Sequence, residues 1–141
     1  MGEAIQEAER AYRKGEIPVG AVVVCQGRII ARAHNLTETL TDPTAHAEMQ
    51  AITSATSFLG GKYLNQCALF VTLEPCLMCA AALAWSQLEM LVYGAADPKK
   101  GYNIMNSRVL HPKTRVINGV MAEGCAKLLT DFFSELRESK R

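Results

Sequence analysis

Two short clusters hold the residue types from which catalysis can be built: His46-Ala47-Glu48 and Pro75-Cys76-Leu77-Met78-Cys79. Cys76 and Cys79 are three positions apart, so at a helix start both sulfurs lie on one side within the first turn. There, unpaired N–H groups and the positive end of the helix dipole favour thiolate. His46 adds a neutral nitrogen. One nitrogen and two sulfurs suit a single zinc ion that keeps its fourth tetrahedral position for water, whereas a structural zinc closes with a fourth side chain. Glu48 is two residues beyond His46, about 200° around an ideal helix, so the two cannot share a lateral face as the pair in H-E-x-x-H does. They converge only off the helix tip. Placed there, the Glu48 carboxylate reaches the bound water, whose pKa zinc lowers toward ~7, and becomes a proton shuttle. A redox C-x-x-C requires no upstream His and Glu, and a zinc ribbon requires a second C-x-x-C that this chain lacks.

The elements around these clusters alternate. Apolar residues from Ala4 to Tyr12 recur at helical spacing until Gly15, and Pro18 to Cys25 reads as a buried strand. Gln26-Gly27 turns the chain into a returning strand, Arg28 to Ala33. A polar loop leads to a helix from Thr44, its expected cap behind Asp42-Pro43, to about Ala55. Cys67 to Thr72 is strand-like, Pro75 opens an Ala- and Leu-rich helix to Trp85, and Glu89 to Tyr93 is a short strand. Thr114 to Ile117 adds a last strand, and Met121 to Arg137 has the apolar spacing of a terminal helix. Helices between strands imply a mixed sheet, parallel over much of its width and covered on both faces. The expectation is an α/β fold, a three-layer α/β/α sandwich that starts with one antiparallel hairpin.

A length of 141 residues, 49% hydrophobic and 21% charged, predicts a single domain spanning 1–141 that folds without disulfides. Fifteen Lys and Arg against fourteen Asp and Glu leave a charge of +1, so any nucleic-acid affinity must come from a local patch. Between Pro98 and Arg115 the basic residues Lys99, Lys100, Arg108, Lys113 and Arg115 occur with no acid, which makes this segment the candidate. Cys25, Cys67 and Cys125 lie in apolar surroundings and read as core cysteines with no redox role. No apolar run approaches a membrane span and the N-terminal residues do not resemble a leader, so the expectation is a cytoplasmic protein without membrane contact.

The H-x-E and P-C-x-x-C pair resembles the zinc-dependent nucleobase and nucleoside deaminases of the cytidine and deoxycytidylate deaminase superfamily. Glu16-Ile17-Pro18-Val19-Gly20-Ala21-Val22, Asp42 to Glu48, Val71 to Cys79 and Asp131-Phe132-Phe133 extend the likeness to the bacterial tRNA-specific adenosine deaminases along nearly the whole chain. The resemblance implies a five-stranded, cytidine deaminase-like sheet between helices and Zn2+ as the cofactor, held by His46, Cys76 and Cys79. It makes Glu48 the general acid/base and Asn35 the base-contacting residue, with Ala47 beside it in the substrate pocket. It further implies a homodimer, a tRNA anticodon loop as partner, and hydrolysis of the wobble adenosine to inosine by a zinc-activated water. Asp97, Lys99, Lys100, Arg108 and Lys113 are then the candidate RNA contacts.

The segment Lys100 to Asn106 departs from the family's small-residue stretch, and this leaves two other readings open. A deaminase of a free base or nucleoside, guanine or cytosine, would keep every zinc residue and Glu48 while changing outer contacts. A non-catalytic zinc subunit of an RNA-modifying complex would have no use for Glu48.

Overall fold

The first layer of the fold is fixed by where small residues let a helix approach a sheet. In the computed structural model, which describes residues 1–140, α1 (Gly2–Arg13) lays Ala4, Ala8 and Ala11, all fully buried, against β1 (Gly20–Cys25). The Gln26-Gly27 turn, both residues at positive φ, returns the chain into β2 (Arg28–His34). On the opposite face α2 (Ala47–Leu59) buries Ala47, Ala51 and Ala55 over β1 and β2 and ends at left-handed Gly60. β3 (Cys67–Leu73), α3 (Leu77–Trp85) and β4 (Met90–Ala95) follow. A five-residue α4 (Tyr102–Asn106), the short β5 (Arg115–Ile117) and α5 (Ala122–Ser139) complete the chain.

The five strands form one sheet in the order β2-β1-β3-β4-β5. β1 is antiparallel to both neighbours, β3, β4 and β5 are mutually parallel, and β2 therefore runs with them. α1 and α5 pack on one face and α2 and α3 on the other, as the three-layer expectation required. The main core lies under α2 and α3, where Val23, Leu64, Leu69, Val71, Leu83, Leu88 and Leu91 are buried.

Two local features differ from the sequence reading. Helix α2 starts at Ala47 with His46 as its N-cap, not at Thr44. Thr44 is held by Asp42 instead, whose Oδ1 accepts both its amide (2.8 Å) and its hydroxyl (2.7 Å). Helix α4 was not anticipated. Trp85, at the end of α3, is 84% exposed on this chain. No helix among the described residues is long and apolar enough to cross a membrane.

Candidate active site

Because β2, β3 and β4 point the same way, their carboxyl ends emerge on one edge of the sheet, the edge where open α/β sheets build their sites. Asn35 follows β2, Glu74-Pro75-Cys76 follow β3, and Asp97 lies two residues beyond β4. The loop leaving Asn35 brings His46 and Glu48 to the same edge at the start of α2. His46 (φ −71°, ψ 156°) and Cys76 (φ −71°, ψ 172°) are both extended N-cap residues, so each projects off the tip of its helix. The angle between His46 and Glu48 on an ideal helix therefore does not apply: His46 has not yet entered the helix, and Glu48 can turn toward it.

His46 Nδ1 lies 3.6 Å from Cys76 Sγ and 3.5 Å from Cys79 Sγ. A tetrahedral zinc with Zn–S near 2.3 Å and Zn–N near 2.05 Å separates its nitrogen and sulfur ligands by ~3.6 Å, so the spacing fits that ion. All three donors lie within 4.8 Å of one another, and among the described residues no fourth donor joins them. The site is open by one position.

Electrostatics in the metal-free cluster follow from crowding two thiols, an imidazole and a carboxyl. Hydrogen bonding to Cys79, aided by His46, pulls the Cys76 thiol down to about 4. The same bond pushes Cys79 up, with burial adding to it. The Cys76 sulfur beside His46 raises the imidazole above its ordinary value. Glu48 is 4% exposed, and that burial raises its carboxyl to about 7 against the opposing pull of nearby amide and thiol donors. A carboxyl that changes charge near neutrality, next to an open ligand position, is suited to proton transfer.

Asn35 is buried at 6% exposure, its amide N–H bonded to Val19 O (3.1 Å) and its Nδ2 directed to Thr37 Oγ1 (3.4 Å). Ala47, fully buried, separates His46 from Glu48. The loop between Asn35 and His46 has an anchor that sequence reasoning missed. Glu16 is completely buried, and its carboxylate accepts the amides of Glu38 (3.0 Å) and Thr39 (2.7 Å) and the Thr39 hydroxyl (2.6 Å). Burial alone would raise its pKa; the Thr39 and Glu38 donors outweigh it and hold the carboxyl below its ordinary value. Replacing Glu16 by Gln leaves donors facing an NH2 group, so chemical denaturation is expected to show a loss of about 1–3 kcal/mol. The Glu16 contribution is complete above the ordinary glutamate pKa and is lost as pH falls through the lowered folded value, so the Gln variant's deficit should shrink in acid.

Glu74 precedes the N-terminus of α3, but its carboxylate is spent elsewhere. Its buried carboxylate accepts the amide of Asp97 (3.0 Å) and both the amide (3.1 Å) and Nδ2 (3.2 Å) of Asn103. Asn103 Nδ2 also donates to Tyr93 Oη (3.1 Å), and Tyr102 packs edge-on against Tyr93. Gly101 bridges to Cys76, and a Cβ on it would collide with the Glu74 carboxyl. The divergent segment is thus a strap fastened beside a metal-site cysteine.

The basic run is divided by the fold. Lys99 and Lys100 are exposed at the site edge, in a turn whose amides bond to Asp97 Oδ1. Arg115 pairs with Met90 at the other end of the sheet, and exposed Lys113 is two residues before it. Arg108, also exposed, follows α4. His34, at the end of β2, takes a hydrogen bond from Lys14 at Nε2 (3.0 Å). Its Nδ1 therefore carries the proton donated to buried Glu7 (2.9 Å).

Comparison with known proteins gives this geometry its context. Residues 1–95 match the family described as the cytidine and deoxycytidylate deaminase zinc-binding region. The chain is 47% identical to the tRNA-specific adenosine deaminase of Bacillus subtilis, over 100% of this chain and 91% of that protein. It is 45% identical to the enzyme of the same name from Aquifex aeolicus, over 96% and 93%. A solved structure from studies of A-to-I editing by tRNA:A34 deaminases at the wobble position superposes with a TM-score of 0.86 at 41% identity, covering 92% of this chain and 97% of that one.

Proposed function

The chain belongs to the cytidine and deoxycytidylate deaminase zinc-binding family, and on that premise we propose that it is a tRNA adenosine deaminase that hydrolyses the wobble adenosine to inosine and ammonia. The observation that carries this reading is the three-donor cluster with one open position and a buried carboxyl next to it. The substrate follows from near full-length relatives that bear that name. His46, Cys76 and Cys79 would hold the ion, and zinc when bound would supply the Lewis acidity that makes water nucleophilic at neutral pH.

The remaining chemistry belongs to the chain. Glu48 takes a proton from the water that becomes the new C6 oxygen, delivers it to the ring N1, and then passes a proton to the departing amine. Its burial keeps the carboxyl close enough to neutrality to serve in both directions. Asn35 and Ala47 line the base pocket, and Glu16 holds the intervening loop in place. An anticodon-loop base is single-stranded and can be splayed into such a pocket at a cost of a few kcal/mol. Lys99 and Lys100, held on the Glu74 strap, are the RNA contacts best placed at the site; Asp97 shapes their turn, and Arg108 and Lys113 would meet RNA farther out.

The exposed apolar residues Phe58 (70%), Trp85 (84%), Ile104 (59%) and Met105 (59%) sit on α2, α3 and α4, with α3 packed against both others. This is the face through which a homodimer would form, and sedimentation velocity reads it directly. The bacterial relatives and a tRNA substrate support a cytoplasmic location.

An ammonia-release assay on a tRNA transcript, adenine, guanine and cytosine tests the whole reading. Turnover is expected only with the transcript, with inosine at the wobble position and affinity that falls steeply as salt rises. Turnover of free guanine or cytosine with an inert transcript would replace it by the small-molecule reading.

A further inference from the structure

Cys25 and Cys67 were read as inert core residues, but the sheet makes them direct partners in the antiparallel β1–β3 pairing. Residues opposed in this way have Cα atoms about 4.5–5.5 Å apart, inside the ~4.4–6.8 Å that a disulfide spans, and their side chains share one face. Both pack against the core under α2 and α3. Burial first, and then the neighbouring Cys25 thiol, push the Cys67 thiol up to about 12. Cys25 Sγ also lies 3.6 Å from the Gln66 carbonyl, beside Cys67. Cys25 ends β1 and Cys67 begins β3, so the pair sits at the end of the β1–β3 ladder.

We propose that Cys25 and Cys67 form an oxidation site that closes to a cross-strand disulfide, with a low-molecular-weight disulfide such as glutathione disulfide as the oxidant. Cys25, the more exposed partner, attacks first as thiolate: an S–S bond of the oxidant breaks, one glutathione leaves as thiol, and a mixed disulfide forms on Cys25. Cys67 then loses its proton and attacks the Cys25 sulfur, expelling the second glutathione. Two cysteine thiols are oxidised, one glutathione disulfide is reduced to two thiols, and the two protons end on those thiols.

The position of the pair separates this chemistry from the active site. β3 runs from Cys67 to Leu73 and the metal cluster lies beyond its far end, about 20 Å away at strand rise. The zinc cysteines are therefore not competitors in the folded protein. The closed loop, residues 26–66, contains Asn35, His46 and Glu48, and the crosslink would restrict that part of the unfolded chain.

The test incubates zinc-loaded protein with glutathione disulfide, alkylates remaining thiols after denaturation, and maps the peptides by mass spectrometry. Loss of two of the five thiols, a Cys25–Cys67 linked peptide, a raised melting temperature reversed by dithiothreitol, and unchanged turnover are the expected results. Cys25→Ser should abolish the link and the melting shift together; as the more exposed position it is the safer variant for folding, and Cys67→Ser repeats the test. Glutathione retained on Cys25 with Cys67 still alkylatable, or a Cys76–Cys79 bridge in its place, overturns the proposal.

Discussion

Glu48→Ala is expected to bind zinc like the parent protein and to lose about 10²–10⁴-fold in turnover, the range of a positioned general acid/base. The two halves of this result come from different features. Metal is retained because Glu48 is outside the cluster of donors formed by His46, Cys76 and Cys79. Turnover collapses because Glu48 is the carboxyl next to the open position, buried to 4% exposure and raised to about 7. Alanine removes the carboxyl that accepts and returns a proton there. Glu48→Gln keeps the volume and a hydrogen bond but not the exchangeable carboxyl proton, so it should be nearly as slow. Elemental analysis with single-turnover deamination of a tRNA transcript checks both halves. Parent-like turnover by either variant would remove Glu48 from the mechanism, and loss of zinc would make it a ligand.

What the sequence made legible and what it hid divide along physical lines. Strands β1 to β4 were readable because they bury apolar residues in runs and α5 because of its apolar spacing; β5, whose three residues are all exposed, was readable only from its β-branched Val116 and Ile117. Helix α4 was hidden because five residues leave no period to read. Thr44 looked like the cap of α2 because its type suits that role. The fold gives its donors to Asp42 and places His46, a poor cap by type, at the helix tip, since a side chain projecting off the tip is what a metal site needs. The zinc set was legible because ligand chemistry restricts residue type as well as spacing. Glu16 and Glu74 were not, because their acceptors serve backbone amides more than twenty residues away, and amides carry no residue type. The basic run read as one patch because sequence proximity was its only evidence; the parallel return into β5 carries Lys113 and Arg115 away from the site edge.

Cys76→Ala should fail in the opposite way to Glu48→Ala: zinc is lost, and turnover is lost as its consequence. Three donors are the minimum for an open catalytic site, and with no fourth donor among the described residues the remaining His46 and Cys79 have no substitute to recruit. The charge argument points the same way. Without metal, Cys76 is the group in the cluster that most readily holds negative charge, its thiol lowered to about 4, while Cys79 is pushed up. Alanine at Cys76 therefore removes both a ligand and the anion that first attracts a cation. Binding also feeds back on stability, since zinc at ~100 times its Kd adds about 2.7 kcal/mol to the folded state, a melting shift on the order of 10 °C for a domain of this size. Added zinc should accordingly raise the melting temperature of the parent and of Glu48→Ala but leave that of Cys76→Ala unmoved, and metal content should follow the same division. A Cys76→Ala protein that keeps stoichiometric zinc would show that another side chain completes the cluster, and the open position on which the deaminase reading depends would not exist.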